Sequence, residues 1–351
     1  MWTAPIRCAR GRGCDMAQRC SSCREPVWPD DAYCEACGQR LTGSQVVALT
    51  RKTPAGGPVL VQSDECVFCH HQVIDDGFCV RCGRQQPDPR DRMECDLGSV
   101  CGISDRGVLR DRNADAMAFG WAGATGDPAT IVAVVCDGVG STPKSDLAAQ
   151  VAADSATEEL LRCVVEGVAA REASMLATAA AWKAVAALPG DGAPSTTLVS
   201  AIVTTSEVTV AWLGDSRAYW LSVDGTHAET PADGDTVRGS TCLTVDHTER
   251  NTLLNEGLAA RHTLTRWVGA DAIDMEPQVI TVRPTGQGSI LLCSDGLWGY
   301  FTDTGVLATR VLSWASTYHV VNSLVDNAIE CGGRDNITGV IVPFPPAVVS
   351  P

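Results

Sequence analysis

Apolar runs that stop abruptly at an acidic turn recur along the second part of this sequence. They occupy 131–136, 208–213 and 290–293, and a further run at 337–344 begins directly after such a turn. Short apolar runs bounded by turn residues predict buried β-strands, and the run that resumes after Gly214-Asp215 predicts a hairpin. The turns read CDGVG (136–140), LGDSR (213–217), CSDGLW (293–298) and GGRDN (332–336).

Two regions have helical periodicity instead. The alanine-rich stretch at 146–188 places apolar residues at helical spacing and is long enough for two helices. A second helical region is predicted from about Thr304 to Cys331. Strands and helices therefore share this part of the chain, which predicts the α+β fold class.

The acidic residues at the strand ends allow two explanations. An Asp-Gly pair after a strand most often forms a hairpin turn, which suffices for any one of these motifs alone. The stretch CGISDRGVLRDRNAD (101–115) adds Asp105 and Asp115, so five separate β-runs carry acidic sites. Carboxylates gathered in one place repel each other unless cations neutralise them. Because carboxylates are typical ligands of Mg²⁺ and Mn²⁺, the pattern favours a divalent-cation site.

The first part of the chain contains an internal repeat. Its copies read CSSCREPVWPDDAYCEACG (20–38) and CVFCHHQVIDDGFCVRCG (66–83), each with two Cys-x-x-Cys pairs followed by glycine. Two such pairs can complete a tetrahedral thiolate site, so each copy predicts one structural Zn²⁺, which would supply the folding energy of so small a unit. The predicted zinc ligands are Cys20, Cys23, Cys34 and Cys37 in the first copy and Cys66, Cys69, Cys79 and Cys82 in the second.

Other uses of these cysteines fit the pattern less well. A thioredoxin-like pair would need a βαβ setting, and disulfides would need an oxidising compartment. His70 or His71 could replace a cysteine ligand, but the four-cysteine set is complete without them. The repeat resembles the double zinc ribbon, which implies a structural module that docks proteins or nucleic acids.

These patterns predict an order of domains. Residues 1–15 are unassigned, and translation could instead begin at Met16. Polar segments rich in Gly or Pro predict linkers. The predicted segments are zinc ribbon 1 at 16–40, a linker at 41–62, zinc ribbon 2 at 63–86, a linker at 87–96, the main domain at 97–346 and a tail at 347–351.

Charge and composition restrict the partners. Residues 1–94 hold 12 basic and 12 acidic side chains, whereas the rest holds 15 against 30 and so carries the whole formal charge of −15. This acidic part would repel nucleic acid, which disfavours a nucleic-acid partner. With no apolar run long enough for a membrane span and no secretory signal, we expect a cytoplasmic protein that does not bind membranes.

The order of the acidic motifs resembles that of the metal-dependent type 2C (PPM) serine/threonine protein phosphatases. The matching blocks are SDRGVLRDRNAD, VVCDGVG, STTLVSAIV, WLGDSRAYWL, LTVDH, LTRWVG, LLCSDGLW and GGRDNITGVIV, spread over about residues 97–345. The resemblance implies a four-layer α-β-β-α sandwich of two antiparallel sheets flanked by helices. It also implies hydrolysis of phosphoserine and phosphothreonine on proteins by a water that two metal ions activate.

The resemblance assigns roles to individual residues. Asp137 would bridge two Mg²⁺ or Mn²⁺ ions and the Gly138 carbonyl would touch the second ion. Asp295 and Asp335 would complete the first metal site, Asp215 with Asp295 would hold a third ion, and Asp115 would orient waters. Arg110 would bind the substrate phosphate. Asn336 is expected to fix the entry of the last strand rather than to bind metal. Thr196, Thr197, Asp246, Trp298 and Tyr219 are expected to support the fold.

Three positions depart from the family pattern. Ser141 replaces a glycine, Val139 replaces a histidine found in many eukaryotic members, and Ala114 replaces an acidic residue. None is an expected metal ligand, so an active phosphatase opposing a Ser/Thr kinase is the first hypothesis, with the ribbons docking or regulating. A catalytically weak or inactive scaffold in a kinase pathway is the second hypothesis. A nucleic-acid-binding ribbon protein is a third, which the balanced charge of residues 1–94 disfavours.

Overall fold

The computed structural model describes residues 66–347, with gaps at 67–68, 72–73, 76–77, 85, 87, 124–127, 140–143, 190–191, 227–228, 250–262 and 314–315, together with 18–19, 26–27, 36 and 45–48. The chain divides into two compact units, Met1–Gln45 and Val46–Pro351. The four predicted zinc ligands of the first ribbon lie outside the described residues, as does Ser141. The domain boundaries drawn from the sequence remain predictions.

The described strands are short in the first 80 residues and longer afterwards. In chain order they are β1 (Gln18–Arg19), β2 (Pro26–Val27), β3 (Gln45–Ala48), β4 (Ile74–Asp75), β5 (Phe78–Cys79), β6 (Arg92–Asp96), β7 (Cys101–Asp105), β8 (Asp115–Gly123), β9 (Thr130–Asp137), β10 (Ser195–Thr196), β11 (Leu198–Val203), β12 (Val208–Leu213), β13 (Arg217–Ser222), β14 (Thr236–Val237), β15 (Thr241–Cys242), β16 (Val268–Gly269), β17 (Gln278–Pro284), β18 (Gly288–Cys293) and β19 (Ile337–Phe344).

Two large sheets contain most of these strands. One has the order β14-β17-β12-β11-β9-β8-β3 and the other the order β15-β13-β18-β19-β7-β6. The pairings among β6 to β19 in these sheets are antiparallel apart from a two-residue parallel contact between β14 and β17. Three two-stranded pairs, β1-β2, β4-β5 and β10-β16, complete the described sheet structure.

Helices cover the outer face of each sheet. The stretch predicted to form two helices forms α1 (Ser145–Glu166) and α2 (Ala170–Ala186), whose alanines pack on the seven-stranded sheet. The six-stranded sheet is covered by α3 (Asp295–Trp298), α4 (Thr304–Leu312) and α5 (Thr317–Glu330). The predicted sandwich of two sheets flanked by helices is therefore confirmed.

Strand β9 shows how the sequence pattern sets the layers. Because side chains alternate between the two faces of a strand, Ile131, Ala133 and Val135 pack between the sheets while Val132, Val134 and Cys136 pack against the helices. A strand that is buried on both faces needs a continuous apolar run, and this is what residues 131–136 provide. The same alternation places residue 137, where the strand ends, on the face between the two sheets.

Replacing Ile131 with alanine tests this core. Ile131 is fully buried, so Ile131→Ala should lower the free energy of unfolding by about 2–5 kcal/mol through lost burial and a cavity. The matched control is Ile273→Ala, because Ile273 is fully exposed and its change should stay within about 0.5 kcal/mol. Urea denaturation of both variants measures the difference, and equal effects would contradict this core.

Candidate metal centre

Two aspartates face each other at the end of the sandwich. Strands β8 and β9 pair antiparallel with Asp115 directly opposite Asp137. Met117 and Phe119 follow Asp115 at intervals of two and pack between the sheets, so both carboxylates start from the inter-sheet face. The Cβ atoms of opposite residues lie about 5 Å apart, where two charges repel by roughly 3 kcal/mol in a partly buried setting. This pair therefore needs protons or a cation.

Asp115 is fully buried and only half satisfied. Its Oδ2 accepts hydrogen bonds from the hydroxyls of Ser294 and Thr338, both at 2.7 Å. Ser294 follows β18 and Thr338 lies in β19, so both hydroxyls come from the other sheet. No donor in the described part of the chain reaches its Oδ1. Burial, and then the nearby charges of Asp295 and Asp335, raise the pKa of Asp115 to about 7. An unpartnered buried carboxylate oxygen suits a cation or its bound water.

The other predicted carboxylates come from the second sheet and from a turn. Asp295 begins α3 two residues after β18, and Asp335 stands two residues before β19, which pairs with β18. Asp215 lies in the turn between β12 and β13, so this turn joins one sheet to the other. The hairpin predicted at Gly214-Asp215 is therefore wrong. Strand ends and this turn bring together five aspartates that are far apart in the sequence: Asp115, Asp137, Asp215, Asp295 and Asp335.

The electrostatics of this group follow from burial and mutual repulsion. Burial, followed by Asp115 and Asp295, raises the pKa of Asp137 well above its usual range. Burial and the charge of Asp295 raise the pKa of Asp215 to about 7, and burial with Asp335 raises that of Asp295. A set of carboxylates that cannot all ionise without a counter-charge has the donor chemistry of a Mg²⁺ or Mn²⁺ site.

A cavity of about 730 Å³ opens onto these residues. Of the seven side chains and backbone groups predicted for the site, six line it and Asp115 lies buried beside it. Six aspartates and two arginines contribute to the lining, so the cavity is acidic. The predicted residues on the lining are Arg110, Asp137, Gly138, Asp215, Asp295 and Asp335.

Gly138 is required by close backbone packing. A Cβ at this position would lie 2.6 Å from the carbonyl oxygen of Ser145 and 2.7 Å from that of Ala114. The Gly138 N–H also donates to Ala114 O at 3.1 Å. The chain therefore needs glycine where it leaves β9, whether or not its carbonyl binds a cation.

Arg110 lies on a loop beside the carboxylates. Its Nη2 donates to Asp335 Oδ2 at 2.5 Å, and its side chain is about half exposed (47%). Asn336 fastens the loop at both ends, because its Nδ2 donates to the carbonyls of Arg106 and Arg112, each at 2.9 Å. The Asn336 Oδ1 also accepts from the Ala114 N–H at 2.8 Å. Asn336 was expected to fix the entry of the last strand, and it also anchors the arginine loop.

A second polar network holds the turn that carries Asp215. The Trp298 indole donates to the Asp215 carbonyl at 2.9 Å, and the Arg217 guanidinium lies 3.5 Å above the Trp298 ring. Arg217 in turn makes two hydrogen bonds to Asp246, at 2.8 and 2.7 Å. Trp298 and Asp246, expected to support the fold, therefore support this turn.

Two further residues hold these turns: Thr197, expected only to support the fold, and His247, to which the sequence analysis gives no role. The Thr197 hydroxyl accepts from the Asp137 N–H at 3.0 Å and pairs with the Ser216 hydroxyl at 2.7 Å, so it ties β9 to the turn of Asp215. His247 Nδ1 accepts from the Gly214 N–H at 3.1 Å. Burial, and then Arg266, lower the pKa of His247 to about 4, which keeps the ring neutral as an acceptor. In the sequence, the feature that could have indicated His247 is the LTVDH block, in which it is the last residue.

The second cysteine repeat forms a compact cluster. The sulfurs of Cys66, Cys69, Cys79 and Cys82 all lie within 4.8 Å of one another. The sulfurs of Cys69 and Cys79 are 3.5 Å apart and those of Cys66 and Cys82 are 3.7 Å apart, too far for disulfide bonds of about 2.05 Å. Gly83 takes a φ of +69° directly after the last cysteine, as expected for the glycine of the motif. Four converging sulfurs at these distances fit a tetrahedral Zn²⁺ site.

The model of the family described as Protein phosphatase 2C matches residues 111–327, more than half of the chain. The chain belongs to this family. Within the phosphatase 2C domain, Ala114 and Val139 both line the cavity, so two of the three departures from the family pattern stand at the site itself.

Related proteins agree with this membership. The serine/threonine phosphatase stp of Listeria welshimeri is 30% identical over 157 residues, which are 42% of this chain and 56% of the relative. The chain thus matches little more than half the length of that relative. The structure of the Mycobacterium tuberculosis serine/threonine phosphatase PstP/Ppp aligns with a TM-score of 0.51 at 22% identity, covering 70% of this chain and 97% of that one.

A further solved structure shows metal in a similar fold. The catalytic domain of the phosphatase PstP, in complex with two manganese ions, aligns with a TM-score of 0.50 at 23% identity over 70% of this chain and 97% of that chain. At such identities the likeness shows the fold alone. None of the helices in the described part of this chain is long and apolar enough to span a membrane.

Replacing Asp137 with asparagine should separate the stability of the centre from its cation binding. In metal-free protein at pH 7, Asp137→Asn removes one of the repelling carboxylates, so the free energy of unfolding should rise by about 1 kcal/mol or more. In the wild type, Mn²⁺ at about 100 times its Kd should stabilise by about 2.7 kcal/mol, and the variant should lose that gain.

Thermal unfolding with and without Mn²⁺ measures both effects. Asp224→Asn, at an exposed aspartate away from the cavity, is the matched control and should leave both values unchanged. A Mn²⁺ stabilisation that survives in Asp137→Asn would contradict the predicted bridging position.

Proposed function

We propose that this protein is a metal-dependent phosphatase that removes phosphate from phosphoserine and phosphothreonine residues of proteins. The observation that carries the proposal is the convergence of Asp115, Asp137, Asp295 and Asp335 at one end of the sandwich, with Arg110 beside them. Family membership and the named activity of the Listeria relative support it. Phosphoproteins made by a Ser/Thr kinase are the proposed substrates.

The acidic cavity explains why cations are required. A phosphate monoester is a dianion, and a lining of six aspartates and two arginines would repel it. Two, or three, Mg²⁺ or Mn²⁺ ions bound here would supply positive charge for the phosphate oxygens and a water of lowered pKa. The proposed ligands are the carboxylates of Asp137, Asp215, Asp295 and Asp335 and the carbonyl of Gly138, with Asp115 orienting water.

Arg110 is proposed to bind the phosphate group. A guanidinium presents a planar pair of donors that matches two phosphate oxygens. Its contact with Asp335 uses Nη2, and its half-exposed side chain leaves the remaining donors accessible from the cavity. Arg110 can therefore orient the phosphorus for attack without leaving its place beside the carboxylates.

The cysteine clusters are proposed as structural zinc sites of two ribbons. The geometry of Cys66, Cys69, Cys79 and Cys82 supports the second site, and the repeated spacing supports an equivalent first site. The ribbons would serve as a docking or regulatory module for the phosphatase domain. The cytoplasm is the proposed location.

Turnover of a phosphopeptide tests the proposed activity. Full-length protein should release phosphate from a phosphothreonine peptide only with Mn²⁺ or Mg²⁺, and Asp295→Ala should lower kcat/KM by about 100-fold or more. Asp224→Ala should keep wild-type activity. Tight Mn²⁺ binding without any turnover on phosphopeptides would instead favour the scaffold hypothesis.

Metal analysis tests the proposed zinc ribbons. Protein purified without added zinc should contain about two Zn²⁺ per chain, because each four-cysteine set binds one ion. Cys66→Ser with Cys69→Ser should lose one of the two, whereas Cys331→Ser, at an exposed cysteine outside both repeats, should lose none. Zinc content that does not change in the double variant would refute the second site.

A further inference from the structure

A short turn connects the second cysteine cluster to the first strand of the phosphatase sheet. In residues 88–91 the Arg90 N–H donates to Asp88 Oδ1 at 2.8 Å, and the Asp88 N–H donates to Asp91 Oδ2 at 3.1 Å. The Asp91 N–H closes the turn on the Asp88 carbonyl at 2.8 Å. The segment predicted as a linker thus has a fixed local conformation, which we name the 88–91 turn.

The 88–91 turn holds Arg106, the residue at the start of the loop that carries Arg110. Asp91 Oδ1 lies 3.1 Å from Arg106 Nε, and the two side chains are only 25% and 30% exposed. The Arg106 N–H also donates to the Asp91 carbonyl at 2.7 Å. The backbone hydrogen bond holds the Arg106 backbone, and the ion pair, which is not a hydrogen bond at Nε, attracts its side chain toward Asp91.

The Arg106 side chain also contacts the backbone of Arg110. Its Nη1 donates to the Arg110 carbonyl at 2.6 Å, so the Arg106 side chain bridges Asp91 and the backbone of the proposed phosphate-binding residue. The same guanidinium thus lies between the Asp91 carboxylate and the Arg110 carbonyl. Asp91 therefore helps to set where the Arg110 backbone lies.

The same turn also holds the far end of the loop. The Arg90 carbonyl accepts from Asn113 Nδ2 at 3.1 Å, and Asn113 Oδ1 accepts from the Asp115 N–H at 3.2 Å. The Arg90 side chain donates to the carboxylate and carbonyl of Asp146, at 3.2 and 3.1 Å, near the start of α1. The turn is thus anchored at both ends of the loop and on a helix of the domain.

The loop depends on such polar contacts because it buries little apolar surface. Val108 is 56% exposed and Leu109 is 68% exposed, although they stand directly before Arg110. Their N–H groups donate to the Gly333 carbonyl at 2.8 and 3.2 Å. A loop that lacks apolar packing is held mainly by its hydrogen bonds and ion pairs.

We propose that the 88–91 turn is a positioning element for Arg110, with the Asp91–Arg106 ion pair as its central contact. The inference rests on the proposed function, since it takes Arg110 as the phosphate-binding residue. It makes the segment between the zinc ribbon and the sandwich part of the active site, although this segment precedes the region that the phosphatase 2C family matches. A bidentate grip on phosphate needs a correctly oriented guanidinium, so loss of this contact weakens phosphate binding more than it slows the chemical step.

Asp91→Asn in the full-length protein with Mn²⁺ tests the proposal. With p-nitrophenyl phosphate as substrate, KM and the inhibition constant of inorganic phosphate should each rise by about three- to tenfold, while kcat stays within about twofold. The matched control is Glu207→Gln, which breaks the Glu207–Arg283 ion pair of 2.9 Å outside the cavity and should change neither constant. Equal constants in Asp91→Asn and the control would overturn the proposal.

Substitutions of Arg106 separate positioning from general stability. Arg106→Lys keeps a cation that can pair with Asp91, so its KM should lie between those of the wild type and Arg106→Met. Thermal unfolding should change little, because a partly exposed ion pair contributes little to stability. A fall in Tm with KM unchanged in both Arg106 variants would assign the pair a purely structural role and overturn the proposal.

Hydrogen exchange gives a readout that does not depend on turnover. The amides of Val108 and Leu109 should exchange faster in Asp91→Asn than in Glu207→Gln, because the loop loses an anchor. Unchanged exchange at these amides would overturn the inference even in an active enzyme. If the wild type itself shows no turnover, the proposed function fails, while faster exchange would still support Asp91 as the anchor of the loop.

Discussion

The repulsion between Asp115 and Asp137 is the constraint on which the site depends. Strands whose other residues form the apolar core aim both carboxylates between the sheets, where Asp115 is fully buried and Asp137 lines the cavity. The packing of the core keeps the two carboxylates together. Their burial and the neighbouring carboxylates raise the pKa of each. Under the proposed function, carboxylates held in this way would form a ligand set before any cation binds, which is the preorganisation that a metal-dependent enzyme needs.

The strand ends and the alanine-rich helices were predictable because each leaves a local pattern. The run at 131–136 and the Asp-Gly that follows indicate a buried strand that delivers a carboxylate. The pairing of Asp115 with Asp137 was not predictable, because it depends on which strands become neighbours and in which register. The hydroxyls of Ser294 and Thr338 were missed for the same reason, since they reach Asp115 only across the sandwich.

The segment before residue 97 shows how a local reading can mislead. Residues 87–96 are polar and contain proline, so they predict a linker, yet β6 (Arg92–Asp96) pairs along β7 in the six-stranded sheet. Arg92 also contacts Asp105 and the side chain of Asn322 on α5. Hydrogen bonds of charged side chains can thus hold a strand at the edge of a sheet. Such a strand cannot be predicted from hydrophobic periodicity. The 88–91 turn and β6, which follow the second cysteine cluster in the chain, therefore belong to the folded domain.

Anomalous scattering from crystals grown with Mn²⁺ tests the central claim most directly, because it locates the cations without relying on activity. Bound Mn²⁺ should give peaks among the carboxylates of Asp137, Asp295 and Asp335, with the free oxygen of Asp115 turned toward one of them or its bound water. Peaks confined to other acidic surface residues, with this cleft empty at saturating Mn²⁺, would contradict the claim that the sandwich holds these aspartates together to bind metal.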